Sequence, residues 1–132
     1  MHASTVTPLL NATSFDDSDD LWRSIVRTVP QFTSVVDDLG PHWLELSSYC
    51  TVFALYDFAT RCFDAGRADV LRAILECVEC GLGSSDGGVV DAFSLEFIEP
   101  LGLDAASDHS AAFKALLGPR GLADLESKRR SA

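Results

Sequence analysis

The stretch from about residue 42 to residue 65, HWLELSSYCTVFALYDFATRCFDA, constrains the fold more than any other part of the chain. At about 100° per residue, Leu46, Tyr49, Phe53 and Tyr56 form one stripe. Leu44, Leu55, Phe58 and Cys62 point the opposite way. A helix that is apolar nearly all round is covered on several sides. Its few charges include Asp57 and Arg61, spaced i, i+4 and able to pair. The pattern predicts a central buried helix closed by Gly66, with the others laid around it. Phe53 is expected in the core, where truncation to Ala costs about 3–5 kcal/mol.

Proline and glycine divide the rest of the chain into further helical segments. Asp16-Asp17-Ser18-Asp19-Asp20 stands directly before Leu21-Trp22 and reads as a helix start. Asp17 or Ser18 is placed to cap, and acids favour the positive end of the dipole. Leu21, Trp22, Ile25, Val26 and Val29 turn inward before Pro30 breaks the helix. Phe32, Val35, Val36 and Leu39 follow the i, i+3, i+4, i+7 rule up to Gly40-Pro41. A helix from near Asp69 to about Leu82 buries Leu71, Ile74, Leu75, Val78 and Leu82. Ser85 or Asp86 then caps a helix over about 88–99 that buries Val89, Val90, Phe93, Phe97 and Ile98 and ends at Pro100 and Gly102. A helix near Ser107–Leu117 stops at Gly118-Pro119, and a short one carries Leu122 and Leu125.

No period-2 strand stands out, so the fold class is all-α: one domain of about five to seven helices packed as antiparallel hairpins. The length of 132 residues and a hydrophobic fraction of 47% suit one domain with a real core. Residues 1–15 read as a flexible N-terminal lead, 16–127 as the helical domain and 128–132 as a basic tail. The start has no basic residues leading into an apolar run, and no segment reaches about 18 apolar residues. The expectation is a cytoplasmic protein with its four cysteines reduced.

Twenty acids against ten bases give a net charge of −10. Three of the bases are Lys128, Arg129 and Arg130, so the chain before them stands at −13. Such a surface repels nucleic-acid phosphates and anionic lipid and attracts basic proteins. The plain reading is that acidity keeps the chain in solution and that the acids are caps and solvated faces. The functional reading is a docking surface for a basic partner, with no nucleic acid and no membrane involved. Its candidate residues are Asp16, Asp17, Asp19, Asp20, Asp37, Asp38, Glu76, Glu79, Glu96 and Glu99. Trp22 and Trp43 are the candidate aromatic anchors at its centre.

Cys77 and Cys80 form a Cys-x-x-Cys, a spacing used by zinc sites and redox dithiols. Cys50 and Cys62 lie about 18 Å apart along the central helix, so all four cysteines cannot share one metal. A redox dithiol sits at a helix N-terminus, where the dipole lowers the thiol pKa. This pair ends a helix beside Glu76 and Glu79, and the expectation is that both are small packing residues. Cys80 falls opposite Leu71 and Val78, off the apolar stripe. His2, His42 and His109 are dispersed and share no metal-ligand spacing. No nucleophile elbow or phosphate loop is present. The reading is a non-enzymatic protein without metal or cofactor.

The order of features resembles a small all-helical bacterial domain family whose members occur among immunity proteins of polymorphic toxin systems. The resemblance is carried by Leu46 to Phe63 with Gly66, Leu71-x-x-Ile74-Leu75 and the Ser85-Asp86-Gly87 turn. It continues through Val89-Val90, Phe97-Ile98-Glu99-x-Leu101 and Leu116-Leu117-Gly118-Pro119, covering about residues 30–125. It implies a helical fold and an immunity protein that neutralises a cognate basic toxin by binding it. The Cys-x-x-Cys and the basic tail depart from that pattern. A helical adaptor for another protein, or a thiol-based sensor using Cys77 and Cys80, are the alternatives, and the oligomeric state is left open.

Overall fold

Ser47 opens the central helix by accepting a hydrogen bond from the amide of Cys50 at 3.2 Å. A computed structural model describes residues 14–17, 20–38, 47–103 and 107–131. Within it the chain forms α1 (Leu21–Thr28), α2 (Thr33–Asp38), the central α3 (Ser48–Asp64) and α4 (Ala68–Leu82). Helix α5 covers residues 87–103, and α6 (Asp108–Leu116) and α7 (Pro119–Ser131) complete the series. Short 3₁₀ turns at Ser14–Asp16 and Pro30–Phe32 lead into α1 and α2. The fold is all-α, and there is no strand among the described residues.

Helix α3 touches α1, α4 and α5, which makes it the centre of the bundle. Its buried residues are Ser48, Thr51, Val52, Leu55, Tyr56, Ala59 and Cys62, a stripe of less than half its circumference. Gly66 ends it with φ +72, a conformation that only glycine adopts without strain. The amide of Arg67 returns to the Cys62 carbonyl at 2.9 Å, and that of Gly66 to Phe63 at 3.0 Å. Helix α4 then runs back and buries Val70, Leu71, Ile74, Leu75, Cys77 and Val78. At Gly81 a Cβ would lie 2.2 Å from the Phe93 ring, so the missing side chain sets how closely α4 and α5 approach.

Helix α5 departs from the expected ending at Pro100. Asp86 caps it through the amide of Gly88 at 2.8 Å, as one of the two expected caps. It begins as Gly87–Phe93, widens into a π-turn over Ser94–Ile98, and continues as Glu99–Leu103. Pro100 lacks an N–H and crowds the carbonyl four residues back. The preceding wide turn, in which the amide of Glu99 reaches Ser94, gives that ring room, and the helix passes through. The π-turn brings Phe97 and Ile98 fully under α3. There Tyr56 meets Phe97 edge-on at 5.1 Å between centroids, and Phe113 of α6 stacks on Phe97 at 6.2 Å.

Carboxylates hold the first described segment and the start of α7. Phe15 is buried, so the core begins inside the stretch expected to be a loose lead. Ser84 donates to the Phe15 carbonyl at 2.7 Å, and the Asp16 carboxylate accepts from the amide of Ser85 at 2.9 Å. At the other end Glu79 of α4 accepts from the amides of Arg120 and Gly121, at 3.0 and 2.6 Å, and so caps α7 from a neighbouring helix. The basic residues expected as a tail continue α7, where Lys128 stands 4.0 Å from Asp124 and Arg129 is 3.3 Å from Glu126. The N-cap position of α1 is Asp20, whose side chain makes no cap bond, in place of Asp17 or Ser18. Ser18, the lead before Ser14, Leu39 to Leu46 and His42 lie outside the described residues.

One expectation is corrected. Phe53 is 60% exposed and Tyr49 is 37% exposed, so these two residues of the stripe placed in the core face outward. Among the described residues of that stripe Tyr56, at its edge, is buried. The row Tyr49, Phe53 continues at i+4 into Asp57 and Arg61, an exposed ion pair, and a face that ends in charge is not covered. Phe97→Ala is therefore expected to cost about 3–5 kcal/mol in urea unfolding, whereas Phe53→Ala stays within about 0.5 kcal/mol of wild type. The reverse order would mean that α3 is turned over in the bundle.

Candidate functional site

The outer face of α3 and the end of α2 enclose an open hollow of about 380 Å³. Its floor is apolar, from Val35 of α2 and Phe53 and Ala54 of α3. Asp38, at the end of α2, and Asp57 of α3 stand on its rim. Val35 is nearly buried, so α2 is seated on the core by one side and presents its last turn to the hollow. A second hollow of about 250 Å³ lies further along α3, between Gln31, Ser34 and Phe58. Arg61 lines both, so the two hollows adjoin at that side chain along the α2/α3 groove. Its guanidinium is 3.2 Å from the Asp57 carboxylate and 5.7 Å from the Phe58 ring centre. The ion pair is exposed on both sides, so it orients the arginine more than it stabilises the fold.

A larger cleft of about 600 Å³ separates the last turn of α5 from α7. Some of its polar groups already pair with one another, while Glu99 also borders it. Asp124 accepts from the Ser94 hydroxyl at 2.9 Å and lies 4.0 Å from Lys128. Size alone does not make it the better site. The α2/α3 groove leaves an aromatic side chain uncovered next to carboxylates, whereas Asp124 and Lys128 of the cleft are paired.

The residues expected to bind a partner are spread over several faces. Asp38 lines the groove and Asp37 is exposed beside it. Asp20 is 3.7 Å from Arg23, and Trp22 is partly buried with the Arg23 guanidinium 5.0 Å from its ring centre. Asp17 and Glu76 are exposed. Glu96 is half-buried, and Glu99 borders the α5/α7 cleft. Asp16 and Glu79 are committed to the fold by the bonds described above. Asp19 and Trp43 lie outside the described residues. Sequence reasoning missed Tyr49 and Phe53 as surface residues. The available signal was the i+4 row that carries Tyr49 and Phe53 into Asp57 and Arg61.

The four cysteines are free thiols. Cys77 is fully buried, and burial first, then the neighbouring Cys80 and Glu76, push its thiol far up. Cys80 is exposed, with its thiol raised by partial desolvation and then by Glu76. Burial also raises Cys62, which Arg67 and Arg61 partly offset. A nucleophilic or redox thiol requires the opposite shift. Among the described residues no three His, Cys, Asp or Glu side chains gather closely enough to hold a metal ion. His109 lies 3.2 Å from the Tyr56 hydroxyl, within the aromatic cluster of Phe97 and Phe113. No described helix is long and apolar enough to cross a membrane.

Fold and groove together define an all-helical single domain with an open, acid-rimmed apolar groove. Residues 22–129 match a family described as a domain of unknown function, DUF7674, and the chain belongs to that family. The family description assigns no activity, and nothing in the match ties it to immunity proteins or toxins. No curated protein and no solved structure matches the chain at a significant level.

Two measurements follow from this geometry. In the native protein a thiol reagent is expected to modify Cys50 first, Cys80 more slowly because its thiol is raised, and Cys62 and Cys77 only on unfolding. A fast third equivalent would show that the inner face of α4 or α3 is not packed as described. Asp16 has a lowered pKa, caused mainly by the Ser85 amide, against an ordinary value of 3.8. A depressed carboxylate stabilises the fold above its unfolded pKa and loses that contribution as pH falls through the folded value. Asp16→Asn should therefore flatten the acid limb of stability below about pH 4. An unchanged limb would show that the contact to Ser85 does not form in solution.

Proposed function

We propose that this domain is a non-enzymatic binding module that docks another protein in the groove between α2 and α3. The observation that carries the reading is Phe53, a 60% exposed aromatic on a helix whose other face is fully packed. Interfaces are centred on aromatic anchors surrounded by polar groups that close off water. Phe53 sits in such a frame, with Val35 and Ala54 beneath and Asp38 and Asp57 at the edge. The raised thiols and the pairing of Asp124 with Lys128 in the α5/α7 cleft fit a binding role better than a catalytic one.

The net charge of −10 favours a basic partner. The narrower form of the reading is an immunity protein that neutralises a basic toxin by occupying it. That form draws on the acidity and on the order of helices. The wider form is a helical adaptor for a different protein, and it uses the same groove.

The test is capture with wild type and with Phe53→Ser as baits, after circular dichroism shows equal helix content. The expected result is a partner held by wild type, reconstituted as a one-to-one complex from purified components. Phe53→Ser should weaken that complex by at least about tenfold. Growth arrest by the partner alone, relieved by co-expression of this domain, supports the immunity form. Equal retention by both baits overturns the groove as the docking surface.

A further inference from the structure

We propose that the groove between α2 and α3 receives an amphipathic helix with basic flanks. This rests on the reading of the groove as a docking surface and names the class of partner that fits it. The groove follows α3 from Cys50 to Ala65, about 22 Å, which is the length of roughly four helical turns. An extended strand would find no sheet edge to pair with among the described residues, whereas a helix lays one apolar face into such a trough.

The apolar floor comes in two steps, Phe53 with Ala54 and Val35, then Phe58. An amphipathic helix presents apolar side chains at i, i+3, i+4 and i+7 to a surface of this kind. Charge is distributed unevenly along the trough. The first hollow is rimmed by Asp38 and Asp57, with Asp37 exposed beside it, and its one cation, Arg61, is already held by Asp57. The second hollow is bordered by Arg61 and Arg67, the latter 3.8 Å from Asp69. Lysines or arginines on the occupant meet the carboxylates of the first hollow. Its N-terminal end, the positive end of the helix dipole, points to Asp38, and its C-terminal end points to Arg67.

A second copy of this chain is the wrong occupant. A two-fold contact on this face would bring Asp37, Asp38 and Asp57 of both copies into one interface. Each copy also carries a net charge of −10, and like charges brought together across an interface cost affinity.

The probe is a synthetic amphipathic peptide about four turns long, with leucines on one face and lysines toward its N-terminal half. A charge-inverted copy carries glutamates in place of the lysines. Each is titrated into the full isotope-labelled chain and followed by amide chemical shifts. The lysine peptide is expected to shift residues 34–38 and 50–61, to bind more weakly at raised salt, and to leave other faces unmoved. Phe53→Ser is expected to lower its affinity about tenfold or more, and Asp38→Asn about threefold. Both positions are exposed, so both variants keep the fold.

Equal binding of the two peptides in the groove overturns the basic occupant while the groove stands as a docking surface. Lysine-peptide binding that ignores Phe53→Ser overturns the proposal, because net charge alone would explain it. Shifts outside the groove, or none with either peptide, overturn it as well, and the capture experiment with Phe53→Ser then decides separately whether the groove docks any protein. A dimer in sedimentation that Phe53→Ser disperses would assign the groove to a second copy instead.

Discussion

The inner face of α3 is the constraint on which the rest of the bundle depends. Thr51, Val52, Leu55 and Ala59 present a surface of modest height, so neighbouring helices come close. Against it the π-turn of α5 delivers Phe97 and Ile98, both fully buried. Each such side chain withdrawn from water contributes about 1.5–3 kcal/mol before the entropy of ordering it is counted. The aromatic set of Tyr56, Phe97 and Phe113 then ties α3, α5 and α6 at one point. Pro100 is part of the same arrangement. Where a regular helix would end at the proline, the wide turn before it lets α5 continue far enough for Leu101 to be buried too.

The acids serve two different ends. Asp16, Asp86 and Glu79 neutralise free backbone amides, at the 84–85 loop, at the start of α5 and at the start of α7. These are contacts in which a carboxylate replaces water at an exposed donor, and charged acceptors make them strong for their size. Helix α7 depends on this most. It is polar over most of its surface, with Leu125 and Gly121 buried, and the cap from Glu79 fixes where it starts. What is left for a partner is a smaller acidic set, of which Asp37, Asp38 and Asp57 share a surface with an uncovered aromatic ring.

Most of the fold was legible because its signals are local. Gly66, Asp86, Pro30 and the i, i+3, i+4 rows of α1, α2 and α4 act within a turn or two of their own position. Three things were not legible, each because its cause lies far away in the chain. Glu79 reads as a surface acid until α7 is laid against it, some forty residues later. Phe15 reads as part of a loose lead until Ser84 holds its carbonyl. Pro100 reads as a stop because the widening that accommodates it appears only when Phe97 and Ile98 have somewhere to go. Phe53 is a different case. Its neighbours on the wheel already carried the answer in Asp57 and Arg61, but a count of apolar residues around the helix outweighed where the charges fell.

That placement also says why the groove is more than a packing defect. A surface aromatic beside an apolar wall is ordinarily a liability, since it invites contact with any other apolar surface. Here the same wall carries Asp38 and Asp57, and Arg61, the cation that lines this hollow, is held by a carboxylate. Carboxylates at that distance repel an acidic or neutral apolar surface that would strip their water, and they admit one that returns charge to them. The feature that exposes Phe53 to unwanted contact is therefore coupled to one that restricts which contacts are tolerated. Small residues at this helix face, such as Cys50 and Ala54, leave the hollow open where larger ones would fill it. In the proposed docking role, selectivity comes from the charge at the groove's edge and affinity from the ring at its centre.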